Sequence, residues 1–138
     1  MVALREHKEP LPAAAVLFSP WVDCSDGHGH VFERGSFTSN AAIDYIPAHL
    51  SHMLADAWAG GRDLKHPWVS PLHCDLAGLP PLLIQAGDGE VLRDQILEFA
   101  ELAAAAGVSV KLELAPEMVH VFQLFAFVGD DVITHGST

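Results

Sequence analysis

Basic residues are scarce in this sequence. There are 7 Lys and Arg against 18 Asp and Glu, a formal net charge of -11 over 138 residues. Phosphate recognition needs clustered cations, so no nucleic-acid partner is expected. The same imbalance argues against docking on an anionic membrane surface. Long apolar runs are missing as well. No stretch of about 18 apolar residues is present to cross a bilayer, and the opening MVALREHKEP lacks the apolar segment of a signal peptide. Cysteine is limited to Cys24 and Cys74, with no CxxC spacing. Two such thiols fit the reduced state of a cytoplasmic protein, which is the expected location.

Ligand motifs are equally thin. No H-E-x-x-H and no Cys/His zinc spacing occurs, so no metal site is expected although there are nine histidines. His28 and His30, and the pair His49 and His52 on one helical face, read as surface residues. The GDG at 87–89 lacks the GxxxxGK pattern of a phosphate loop.

What remains is apolar material and a clear rhythm. Half of the residues are hydrophobic. A single domain of this length buries roughly two-thirds of its unfolded surface. Residues 13–19, AAAVLFS, form a short apolar run between Pro12 and Pro20 and predict a buried strand. The next twenty residues, rich in Gly, Ser, Asp and His, read as a surface excursion. From 41 to 61 the spacing is helical, with Asn40 as an N-cap, Pro47 breaking or starting a helix and Gly60-Gly61 ending it. PLLIQAG at 81–87 predicts a second buried strand. Residues 91–107 place Val91, Leu92, Ile96, Phe99 and Leu102 on one helical face, with Gly107 as the C′ residue. VSVKLELA at 108–115 alternates, which suits a half-exposed strand near a sheet edge.

Strand, helix, strand with short connections is a βαβ unit, and such units build parallel sheets. Ligands of open parallel sheets gather beyond the carboxyl ends of the strands. Two loops lie at such ends, GDGE after the second strand and PEMVH after the third. Neighbouring strands bring their ends within about 5 Å laterally, so Glu90 and His120 are expected to meet. A carboxylate behind an imidazole orients the ring and stabilises its protonated form, as in the acid and base of a hydrolytic triad. Placement of Glu90 at a helix start favours the ionised carboxylate. The plainer alternatives are a packed core histidine and a glutamate that simply complements a helix dipole.

Three separated segments carry more than spacing. SPWVDCS (19–25), HPWVSPLHCDLAGLPPLLIQAGDGEVLRD (66–94) and PEMVHVFQLF (116–125) together resemble the hormone-sensitive-lipase family of α/β-hydrolases, whose bacterial members are carboxylesterases. The resemblance runs over about 1–127, while the polar tail 128–138 does not share it. It implies the C-terminal part of an α/β-hydrolase fold, about three parallel strands with flanking helices. It puts the triad acid on Glu90, in Glu90-Val91-Leu92-Arg93-Asp94, with Asp88 as the fallback. His120, in Met118-Val119-His120-Val121-Phe122, would be the general base. Trp21, Val22 and Asp23 would belong to the substrate surroundings. No cofactor is implied.

The sequence departs from the family at the nucleophile. No G-x-S-x-G turn occurs, and no HGGG oxyanion loop. Ser25 in DCSDG, Ser36 in RGSFT and Ser70 in WVSPL lack the flanking glycines. The expectation is therefore an esterase fragment that supplies acid and base, inactive alone, and completed by an N-terminal half before it takes a small ester substrate. The first strand would become an unpaired apolar edge, a template for association, and the isolated chain would be marginally stable. The family's last strand often pairs across a two-fold axis, so residues 108–115 could support a homodimer. The alternative is a non-catalytic α/β module that associates with a partner chain through its open sheet edge.

Overall fold

The computed structural model describes residues 1–25 and 35–127, without the side chains of residues 48, 49, 52, 126 and 127. His28, His30 and the tail 128–138 lie outside the described residues, as do the side chains of His49 and His52. The elements in chain order are α1 (Val2–Glu6), β1 (Ala15–Phe18), α2 (Ser36–Ser39), α3 (Ala48–Ala59), β2 (Leu82–Gly87), α4 (Arg93–Ala105) and β3 (Val110–Ala115). Short 3-10 turns add Pro71–His73 and Phe122–Phe127.

The three strands form one parallel sheet in the order β1-β2-β3. The expected architecture is therefore present, but the outer strands are shorter than the apolar runs suggested. Pairing starts only where β2 starts: Leu82 stands opposite Ala15 on one side and Val110 on the other. Residues 13, 14, 108 and 109 stay outside the strands, although the Ser109 carbonyl still accepts from the Leu82 N–H at 2.8 Å.

One face of the sheet is covered. Ile96, Phe99, Ala100 and Ala103 recur at helical spacing on α4 and are all buried. They pack with Leu82, Ile84 and Ala86 of β2, and with Val2 of α1, in one core. Gly107, at φ 83°, lets the chain leave α4 in the left-handed region and enter β3. The opposite face is open. Val16 and Phe18 on β1 are 56% and 50% exposed. Toward β3 the same face turns polar, where Gln85 Nε2 of β2 donates to Glu113 Oε2 at 2.6 Å and Lys111 pairs with Glu113.

Two boundary expectations need correction. Asn40 does not open a helix as expected, although Pro47 and Gly60 bound one as expected. Asn40 ends α2, and its side-chain amide donates to the Asp88 and Glu90 carbonyls, each at 2.9 Å. The long helix α3 starts after Pro47 and ends at Gly60, which takes the left-handed conformation. Nor does Glu90 sit in the first turn of α4. That helix starts at Arg93, and residues 88–92 form turns before it, where the Val91 N–H is satisfied by Asp44 Oδ2. The helix dipole is thus not what holds the Glu90 carboxylate.

Candidate active site

Glu90 and His120 do meet beyond the ends of β2 and β3. Glu90 Oε1 lies 3.6 Å from His120 Nδ1, with the Glu90 side chain fully buried and the His120 ring 17% exposed. Neither of these two atoms has a hydrogen-bond partner among the described residues. At 3.6 Å they stand just outside hydrogen-bonding distance, so a small tightening closes the pair. The other carboxylate oxygen is fully engaged. Oε2 accepts from Ser19 Oγ at 2.7 Å and from the Gly87 N–H at 2.8 Å. These two donors offset the cost of burying a carboxylate.

Backbone contacts hold the two loops together. Asp44, itself buried, accepts from Val91 N–H on Oδ2 at 2.8 Å and from His120 N–H on Oδ1 at 3.3 Å. One carboxylate thereby ties the residue after Glu90 to His120. Val121 N–H donates to Ser19 Oγ at 2.9 Å. Tyr45 stacks edge-on against His120, with centroids 6.1 Å apart, and against Phe125. Burial, and then the neighbouring Asp44 and Glu90 carboxylates, raise the Tyr45 phenol above its ordinary pKa.

Asp88, the fallback acid, is placed differently. Its Oδ1 accepts from the Glu117 N–H at 2.8 Å, bracing the loop that leads to His120. The structure thus brings Glu90, and not Asp88, onto the imidazole.

His120 opens onto a cavity of about 390 Å³ lined by Phe18, Trp21, Ile46, Leu54 and Leu92. Its walls are mostly apolar, as suits an acyl or alkyl group. Of the expected substrate surroundings, only Trp21 lines this cavity. Val22 and Asp23 do not reach it. Gln95 Oε1 takes both of their N–H groups, at 2.8 and 2.9 Å, and fixes this stretch against α4. Val22 joins the core, while Asp23 accepts from Ser25 Oγ and contacts His73 Nε2 at 3.0 Å.

The three serines considered as nucleophiles are committed elsewhere. Ser25 Oγ is held by Asp23 and His73. Ser36 Oγ donates to the Val91 carbonyl and accepts from Asp94 N–H. Ser70 Oγ donates to the Leu64 carbonyl and accepts from Cys24 N–H. Among the described residues no group of three or more His, Cys, Asp or Glu side chains is arranged to hold a metal ion.

Ser19, Asn40 and Asp44 are the site residues that sequence reasoning passed over. For Ser19 a signal existed: it stands at the carboxyl end of the first strand, where ligands of parallel sheets gather. For Asn40 and Asp44, 47 or more residues upstream of their partners, the sequence offered none.

A parallel sheet backed by helices, with a carboxylate and an imidazole facing each other beyond its strand ends, defines an α/β protein. The chain belongs to the α/β-hydrolases: a family model described as alpha/beta hydrolase fold matches residues 1–124. It is 43% identical over 125 residues to an acetyl-hydrolase of Streptomyces hygroscopicus, covering 89% of this chain and 40% of that protein. It is 34% identical over 122 residues to an esterase of Acinetobacter venetianus, covering 88% and 39%. Among solved structures it is similar to an esterase from the bacterial hormone-sensitive lipase family, at a TM-score of 0.82 and 42% identity, covering 94% of this chain and 42% of that one. The chain therefore spans about two-fifths of the length of these relatives.

Proposed function

We propose that this chain supplies the acid and base of a serine carboxylic-ester hydrolase, with Glu90 as the acid and His120 as the general base. The observation that carries the reading is the Glu90 Oε1 to His120 Nδ1 approach, built on a fully buried carboxylate beside an apolar cavity. With Nδ1–H directed at Glu90, the lone pair of Nε2 is the basic one. His120 then takes the proton of an attacking serine hydroxyl. The ester carbonyl forms a tetrahedral intermediate, and His120 returns the proton to the leaving alcohol. Water repeats the sequence on the acyl-enzyme and releases the acid. No cofactor enters this chemistry.

The serine and the oxyanion donors come from outside these 138 residues. The absence of G-x-S-x-G from the sequence supports this, as does the engagement of Ser25, Ser36 and Ser70. The open face and edge of β1 offer the place for the completing polypeptide. Val16 and Phe18 are about half exposed, so covering them would contribute about 1 kcal/mol each, roughly half of the value for complete burial. The rival reading, a passive module that associates with a partner through this edge, draws on the same exposure. It gives no role to a buried glutamate aimed at a histidine, and the acid–base reading is preferred. The substrate class is a small ester with a short or medium acyl group. A homodimer through β3 and a cytoplasmic location remain part of this proposal. No helix among the described residues is long and apolar enough to cross a membrane.

The test is a chimera in which this chain replaces the matching segment of the Streptomyces acetyl-hydrolase. Hydrolysis of p-nitrophenyl butyrate that disappears with His120→Ala is the expected result. A chimera that folds and turns over equally well with His120→Ala contradicts the assignment.

A further inference from the structure

We propose that Ser19 is a positioning residue that selects which oxygen of Glu90 faces His120. This rests on the reading of Glu90 and His120 as acid and base. Ser19 is buried at the carboxyl end of β1, and three bonds converge on it. Its N–H donates to the Gln85 carbonyl at 2.8 Å, its Oγ donates to Glu90 Oε2 at 2.7 Å, and the same Oγ accepts from Val121 N–H at 2.9 Å. One hydroxyl thus touches the acid directly and the residue beside the base.

The terminal torsion of a glutamate is broad and permits rotation of the carboxylate plane. A single donor, the Gly87 N–H, leaves that rotation open. The Ser19 hydroxyl adds a second donor to the same oxygen, so Oε2 is held at two points and Oε1 is left for Nδ1. Both ends of the clamp hold unfavourable backbone conformations. Ser19 has φ 43° and Val121 has φ 46°, a region that non-glycine residues visit rarely and β-branched ones hardly at all. Strain retained at two residues joined by one hydrogen bond, next to the acid and the base, indicates a constraint on their placement. Glycine would relieve the strain at position 19 but would leave Glu90 Oε2 with one donor.

Histidine ¹⁵N spectroscopy tests this without relying on turnover. The chain is labelled at histidine and compared with Ser19→Ala and Ser19→Gly, in the chimera if the chain alone gives no dispersed spectrum. The expected result is a predominant Nδ1–H tautomer of His120 in the parent that becomes a mixture in both variants, while His7 and His66 are unchanged. Ser19→Gly guards against loss of fold, since glycine accepts the positive φ. A His120 tautomer unchanged in a folded Ser19→Gly or Ser19→Ala protein overturns the proposal, even if thermal stability falls. Failure of the esterase reading shows elsewhere, as turnover of the chimera that is indifferent to His120→Ala.

Discussion

Gly87 and Met118 touch where a side chain would otherwise stand. A Cβ at the end of β2 would run into the backbone carbonyl of Met118, two residues before His120. The histidine loop therefore lies directly on the strand that leads to Glu90, and glycine is what lets it approach. Gly87→Ala is expected to push this loop outward and to destabilise the chain by about 1–3 kcal/mol, the usual range for overpacking. Denaturant unfolding checks it, and an unchanged midpoint would argue that the loop adapts.

The two candidate acids should separate sharply. In the chimera, Glu90→Gln is expected to lower kcat by about 10³- to 10⁴-fold, the scale seen when a triad carboxylate is neutralised, with KM little changed. Asp88→Asn keeps an acceptor for the Glu117 N–H and should lose less than about tenfold. Steady-state kinetics on the two variants decides between them, and a reversed order would move the acid to Asp88.

Asp44 predicts a stability effect without chemistry of its own. Removing its carboxylate leaves the Val91 and His120 N–H groups without their acceptor. Asp44→Ala should therefore cost about 2 kcal/mol or more, since each unsatisfied buried group costs about 1–3 kcal/mol. Asp44→Asn retains one carbonyl oxygen and should cost less. Equal unfolding midpoints for the parent and Asp44→Ala would remove Asp44 from the frame of the site.

Alkaline conditions probe the buried thiol. Burial pushes Cys24 above the ordinary thiol value, the Ser70 hydroxyl partly offsets this, and Asp23 adds to it. A pKa raised in the folded state means stability that is fully present below the unfolded thiol pKa and is lost as pH rises through the folded one. Stability should thus hold at about pH 7 and decline above about pH 9, less steeply in Cys24→Ala. Iodoacetamide should modify Cys24 only as the chain unfolds. Rapid modification of the native chain at neutral pH would contradict the burial.

The open β1 face makes the last of these claims. Val16→Lys with Phe18→Lys should reduce self-association of the isolated chain, measured by light scattering, because charge on an exposed edge blocks pairing. The same pair should weaken assembly with a completing polypeptide. Unimpaired assembly would place that polypeptide elsewhere.

Much of this frame was legible from local pattern. The β2, α4 and β3 elements follow from apolar periodicity, and Gly107, Gly60 and Pro47 mark boundaries for reasons of backbone geometry alone. Glu90 and His120 could be paired because adjacent parallel strands must bring their ends together. The bonds that set the site were not legible. Ser19 reaches Glu90 across 71 residues and Val121 across 102, and Asp44 reaches Val91 across 47. No periodicity encodes such contacts. The strand ends were misjudged for a related reason, since an apolar run shows what can be buried but not where its neighbour begins.

The most direct measurement is labelling with a fluorophosphonate probe, applied to the purified 138-residue chain and to the chimera. The account predicts no label on the chain alone and a label on the chimera at a serine outside these residues. A chain that labels by itself, and loses the label with His120→Ala, would show that the nucleophile lies within it and that the site is not shared.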